Sequence, residues 1–182
     1  MHSKYLALMI VLTVCGCGLV SPVFAYTDSD VAIISCNPLT AIDIVIGGEI
    51  SNWTLSNIGD NIDDTSLNMT VRANTDWAVV IKDALNDDKP ADSVGNMTEW
   101  IIGEMKYADD PRWLLTPIRI ATETSPYVSL TGDEQLLIQG SNTPLGGFLY
   151  HLRVNQFLRL ADDRLQTGET YRIVVTFIAN NL

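Results

Sequence analysis

The stretch Ser66–Ile81, SLNMTVRANTDWAVVI, decides the fold. Leu67, Met69 and Val71 fall on one face of an extended chain, and Asn68, Thr70 and Arg72 on the other. A two-residue hydrophobic period is the signature of a half-buried strand. Ala73 is followed by the turn-formers Asn74-Thr75-Asp76, after which Trp77, Val79 and Ile81 again share a face. Two such runs across a short Asn/Asp turn predict a β-hairpin.

The rhythm recurs in both directions. Ile42, Ile44 and Ile46 alternate before Gly47-Gly48, and Ile50–Leu55 continues with a parity break near Trp53 that reads as a bulge. Short strands are predicted at Trp100–Met105, around Ile118 and Ile120, and at Gln135–Gln139. Phe148–Phe157 sets Tyr150, Leu152 and Val154 against His151, Arg153 and Asn155. No long stretch keeps a 3.6-residue period between caps; Ile81–Leu85 and Leu158–Leu165 have room for a helical turn or two. The two longest loops are expected at Asn86–Thr98 and Tyr107–Pro117. Many short strands with Gly, Pro, Asn and Asp between them predict an all-β chain: an antiparallel Greek-key, immunoglobulin-like β-sandwich of about eight or nine strands.

The C-terminal stretch Leu165–Phe177, LQTGETYRIVVTF, adds two features. Leu165 precedes Tyr171 by six residues with Gly168 between them, and Ile173-Val174-Val175 follow. This resembles the tyrosine corner of Greek-key sandwiches, in which the hydroxyl bonds back to the backbone of the preceding turn. Tyr171–Phe177 is also similar to the Y-x-x-x-L-T-W stretch that closes WxL-type bacterial surface domains, with Phe177 in place of the tryptophan. Trp53-Thr54-Leu55 and Trp113-Leu114-Leu115 each fit W-x-L. The resemblance implies a secreted β-rich domain held noncovalently at a cell wall or cell surface.

The first residues point to the same compartment. Lys4 precedes the apolar run Tyr5–Val14, Ser21-Pro22 breaks it, and Val23-Phe24-Ala25 ends it. A positive start, a short greasy core and small or apolar residues before the cut define a signal peptide, with cleavage expected after Ala25. The core is shorter than a membrane span requires. Two other readings of the segment are a retained N-terminal anchor and lipid attachment at Cys17; the greasy stretch after Cys17 is unlike the polar tether of a lipoprotein. The remainder, Tyr26–Leu182, is expected to be a single domain.

The formal net charge is −11, and removal of Lys4 makes the exported chain more acidic still. Such a surface repels phosphate backbones, so nucleic acid is an unfavourable partner. Of three cysteines only Cys36 survives cleavage, and it has no intrachain partner for a disulfide.

Catalytic chemistry is poorly supplied. His151 is the only histidine after cleavage, and it falls on the polar side of its strand. No G-x-S-x-G elbow, paired zinc-ligand spacing or phosphate-cradling glycine loop occurs. A hydrolase would need two carboxylates facing each other across a cleft. The acidic runs Gly59–Thr65 and Asn86–Asp92 read as solvated loops; if one binds Ca²⁺, the ligands are Asp60, Asp63 and Asp64. Sequons at Asn52, Asn68 and Asn96 are candidate glycosylation sites. Of the four tryptophans, Trp77 and Trp100 sit in apolar strand patterns and read as core. Trp113, with Tyr107 nearby, is the candidate ligand-binding platform.

The expected function is therefore noncatalytic: a secreted or cell-surface protein with a structural or adhesive role at the cell envelope. One alternative is a filament or surface-layer subunit that assembles by adding Val31–Ser35 to a neighbour's sheet edge. Another is a carbohydrate-binding module.

Overall fold

A computed structural model describes residues 39–84 and 88–182. The signal segment, the lipid-attachment cysteine, Val31–Ser35, Cys36 and residues 86–87 of the second acidic run lie outside the described residues. The regular structure of the described residues is almost all strand: β1 (Ile42–Gly48), β2 (Gly59–Ala73), β3 (Trp77–Asp83), β4 (Thr98–Ile101), β5 (Lys106–Tyr107), β6 (Arg119–Thr122), β7 (Val128–Ser129), β8 (Gln135–Gly140), β9 (Phe148–Leu158), β10 (Glu169–Arg172) and β11 (Val175–Asn181). One turn of 3₁₀-helix, Ala91–Ser93, interrupts the loop before β4. Eleven strands stand against the eight or nine expected, because two-residue ladders such as β5 and β7 carry no readable period.

All pairings are antiparallel and form three sheets, ordered β1-β2-β9-β6-β7, β11-β3-β8 and β10-β4-β5. The first two share one apolar core. Met69, Val71, Leu152, Val154 and Ile120 come from the five-stranded sheet, and Trp77, Val79, Ile81 and Leu137 from the β11-β3-β8 sheet. Two antiparallel layers facing across such a core are consistent with a β-sandwich. The alternation read in Ser66–Ile81 holds at Met69, Val71, Trp77, Val79 and Ile81, all fully buried, while Leu67 is only partly buried and Ala78, of the other parity, is buried as well.

The expected hairpin does not form. β2 pairs with β1 and β9, whereas β3 pairs with β8 and β11. The two runs therefore face each other across the core, in different sheets, instead of lying side by side. Asn74 holds this corner. Its Nδ2 donates to the Leu39 carbonyl at 2.8 Å, and its Oδ1 accepts from the Ala41 amide at 2.7 Å. The side chain thus continues the β1–β2 ladder while the backbone crosses to the other layer.

The C-terminal stretch also changes sheets. What reads as one strand from Tyr171 to Phe177 is two, broken at Ile173-Val174: β10 pairs with β4, and β11 pairs with β3. The bulge expected near Trp53 is absent because residues 49–58 form a connection with no strand at all. The helical turn allowed at Ile81–Leu85 is displaced by β3, which runs to Asp83.

Two glycines are required by close approach. A side chain on Gly140 would meet the Trp77 ring at 2.7 Å, and Gly95, at φ +81°, would meet the Leu130 carbonyl oxygen at 2.3 Å. Among the described residues no helix is long and apolar enough to cross a membrane.

Candidate binding groove

The connection between β1 and β2 carries Trp53 to the mouth of an opening in the layers. Two adjoining recesses share Trp53, Met97, Thr170 and Tyr171. The first, about 480 Å³, is walled by Ile50, Leu67, Val154, Ile173 and Phe177 in addition to Trp53. Its surface is the exposed end of the core: Leu67, Ile50, Ile173 and Phe177 pack on the buried cluster but are themselves only partly covered. The second recess, about 540 Å³, has a mixed lining that includes Leu55, Leu114, Leu158, Asp162, Arg164 and Glu169.

Tyr171 forms part of the wall between them. Its hydroxyl donates to the Asp163 carbonyl at 2.8 Å. Burial, with the neighbouring carboxylates, pushes its ionisation up to about 12 against the opposing pull of Arg112.

Arg112, Glu99, Glu169 and Asp162 beside the groove are committed to the fold, while the Asp163 and Arg164 side chains also line the second recess. The Arg112 guanidinium reaches Glu99 through Nε (2.8 Å) and Nη2 (3.0 Å), and Nη2 also reaches Glu169 Oε2 at 2.7 Å. The Glu99 carboxyl lies below the usual carboxylate range, first through the Arg112 side-chain bonds and against a smaller cost of burial. Asp162 accepts from the Leu115 amide at 2.8 Å and from the Arg159 amide at 2.5 Å. What the groove offers a ligand is therefore aliphatic surface and the Trp53 indole beside a polar share that includes Asn52, Asp163 and Arg164, suited to apolar or stacking contact with polar contacts at its edge.

The expected aromatic platform is not formed. Tyr107 is 3% exposed and packs edge-on against Trp100 with ring centroids 5.0 Å apart. It is interior because β5 folds back on β4, pairing Tyr107 with Trp100. Trp113 is half-buried in an isolated bridge to Thr98, flanked by the Glu99–Arg112 and Leu114–Met97 backbone bonds. Trp100 is only partly buried, and the Arg172 guanidinium lies over its ring at 4.0 Å. The tryptophan that lines the groove is Trp53. Its signal in the sequence was an indole in a stretch without sustained alternation, between the turn glycines Gly48 and Gly59.

The suspected calcium ligands are not brought together. Gly59–Thr65 is part of β2, not a loop. Asp60 Oδ1 accepts from Arg119 Nη2 at 2.6 Å and from Asn155 Nδ2 at 2.9 Å, tying β2 to β6 and β9. Asp63 instead serves the bulge between Asp63 and Leu67, accepting from the Thr65 and Ser66 amides and from the Ser66 hydroxyl at 2.7 Å. Burial raises its ionisation, but these bonds outweigh that and leave it lowered. Asp64 is exposed. Among the described residues no group of three or more His, Cys, Asp or Glu side chains is arranged to hold a metal ion.

The three sequons differ. Asn52 is exposed on the groove rim at φ +56°. Asn68 is half-buried, with its amide close over Gly47. Asn96 is half-buried, and its sequon partner Thr98 is fully enclosed, with the hydroxyl bonded to the Asn96 carbonyl. His151 is exposed, as its strand parity predicts.

Compared with known protein families and with curated proteins, the chain matches none.

Proposed function

We propose that this chain is a noncatalytic secreted or cell-surface protein with a structural or adhesive role at the cell envelope, built on a Greek-key, immunoglobulin-like sandwich. The observation that carries the reading is the open apolar groove with Trp53 at its mouth. A protein that transforms a substrate presents free acids, bases or nucleophiles in its cleft. Here Glu99, Asp162, Glu169 and Arg112 spend their hydrogen bonds on the fold, and the exposed surface is suited to holding a partner. The Tyr171 hydroxyl bond supports the tyrosine-corner part of the proposal. The first W-x-L sequence contributes both Trp53 and Leu55 to one recess.

The test is retention. Full-length protein is expressed in its source cells, and envelope, wall-associated and medium fractions are compared for the wild type and Trp53→Ala. Loss of envelope retention in a folded Trp53→Ala protein supports the reading. Equal retention of the two proteins counts against the groove as the holding surface, and recovery of all wild-type protein free in the medium counts against envelope attachment.

A second reading, a filament or layer subunit assembling by strand addition, draws on β11. Among the described residues its outer edge has no ladder partner, and its Val175 and Phe177 line the apolar recess. An incoming strand would gain backbone bonds from the edge and burial from the groove. Concentration-dependent assembly that is blocked by a synthetic Thr27–Ser35 peptide favours this reading; a monomer at all concentrations removes it.

A further inference from the structure

At the end of β3 a lysine and an aspartate are sealed together. The side chains of Lys89 and Asp83 are both 0% exposed, and Lys89 Nζ lies 2.5 Å from Asp83 Oδ2. Lys89 Nζ also donates to the Asn96 carbonyl at 3.0 Å, and the Gly95 amide donates to Asp83 Oδ2 at 2.7 Å. Asp83 Oδ1 is buried and has no hydrogen-bond partner among the described residues, and the same holds for the Tyr107 hydroxyl. As an ion pair this arrangement is costly, because two charges leave water and one carboxylate oxygen gets no compensating bond.

We propose that Lys89 and Asp83 condense to an intramolecular amide, so that the mature protein carries a covalent Nζ–Cγ cross-link instead of a buried ion pair. The step balances without a co-reactant. A proton passes from the Lys89 ammonium to the Asp83 carboxylate, giving a neutral amine and a neutral acid. The Nζ lone pair attacks Cγ and forms the C–N bond. One C–O bond then breaks, and its hydroxyl leaves as water with a second Nζ proton.

The surroundings favour each stage. Burial lowers the Lys89 pKa against the opposing pull of Asp83, which makes the neutral amine accessible. The Asn96 carbonyl and the carboxylate fix the direction of Nζ, and the Gly95 amide holds Asp83 Oδ2, the oxygen that faces Lys89, takes its proton and departs as water. Holding the partners in contact within a folded core replaces the entropy that makes amide formation slow between free molecules. The bond would join Lys89 covalently to the end of β3.

Mass spectrometry of the purified full-length chain tests this directly. The expected intact mass is one water below that of the processed sequence. The fragment spanning Asp83 and Lys89 should lack backbone cleavage ions between these residues, and Lys89 should resist acetylation under denaturing conditions. Lys89→Arg and Asp83→Ala should each return the full sequence mass, since the first removes the amine and the second the acyl carbon. A wild-type chain of full sequence mass, with Lys89 acetylated once denatured, overturns the proposal even if neither variant folds. A missing water localised elsewhere, such as a succinimide at an Asp, overturns it equally.

Discussion

The hydroxyl of Tyr171 donates to the carbonyl of Asp163, eight residues earlier in the chain, at 2.8 Å. The bond ties the irregular segment after β9 to the start of β10, and so to the wall of the groove. Tyr171→Phe removes the donor and leaves the ring, so the expected loss is about 0.5–1.5 kcal/mol, the net worth of one hydrogen bond. Because the folded ionisation is pushed up to about 12, above the ordinary 10, the folded state holds this proton more tightly than the unfolded chain. The contribution is complete below pH 10 and is lost as pH rises from 10 to 12. Urea melts of the wild type and Tyr171→Phe across that window measure both effects. Parallel alkaline slopes for the two proteins would contradict the assignment.

How much was legible in the sequence follows from what alternation encodes. A period of two says which side chains point inward, and Met69, Val71, Trp77, Val79 and Ile81 all do. It does not say which strand lies alongside, because Ser66–Ile81 has the same pattern whether it folds as a hairpin or crosses between layers. The crossing is decided by Asn74, whose side chain bonds to Leu39 and Ala41, partners more than thirty residues away. The change of sheet at Ile173 was hidden for a related reason: the apolar run Ile173-Val174-Val175 reads as uninterrupted strand.

The site was less legible than the fold. An acid-rich run such as Gly59–Thr65 looks like a solvated loop until cross-strand partners are known. Asp60 is in a strand because Arg119 and Asn155 meet it, and Asn61 is buried because its side chain caps the turn at Ser56 and Asn57. Trp113 looked exposed from its polar neighbours, yet Met97–Glu99 runs beside it. Trp53 became the groove residue through packing that no local pattern records.

Trp77 and Gly140 are a matched pair. The indole lies where a side chain on residue 140 would stand, and its Nε1 donates to the Ser141 carbonyl at 2.6 Å. Gly140→Ala places a methyl 2.7 Å from a fully buried ring. Overpacking of this kind costs about 1–3 kcal/mol. Thermal melts should show the loss, with a shift in tryptophan emission as the ring moves.

Asn74→Ala should free the start of β1. Two side-chain bonds are lost at the corner, with an expected cost of about 1–2 kcal/mol. Hydrogen exchange should accelerate at Ala41, whose amide loses its acceptor, while the amides of β3 keep their protection. Unchanged exchange at Ala41 would show that the ladder holds without the corner.

The sequons should be used unequally in a host that glycosylates secreted proteins. Asn52 is exposed on the rim, while Asn96 sits over an enclosed Thr98. Peptide mapping is expected to find sugar at Asn52 and a bare Asn96. Sugar at Asn96 would require the segment before β4 to open before or during modification.

The acid side of the stability profile should be governed in part by Glu99. Arg112 holds its carboxyl below the ordinary 4.5, so the folded state binds this proton less readily than the unfolded chain. The stabilisation is present above 4.5 and is lost as pH falls through the lower folded value. Glu99→Gln keeps the shape but removes the charge facing Arg112, leaving Glu169 as the remaining acidic partner of that guanidinium. The variant should melt several degrees lower at neutral pH, and its melting temperature should fall less steeply than that of the wild type below pH 4.5. Melting curves of both proteins at matched ionic strength decide the point. If the two acid limbs run parallel, the Glu99–Arg112 contact carries no charge-dependent stability, and the fold on this side of the groove rests on packing and on the backbone bonds between Glu99 and Arg112.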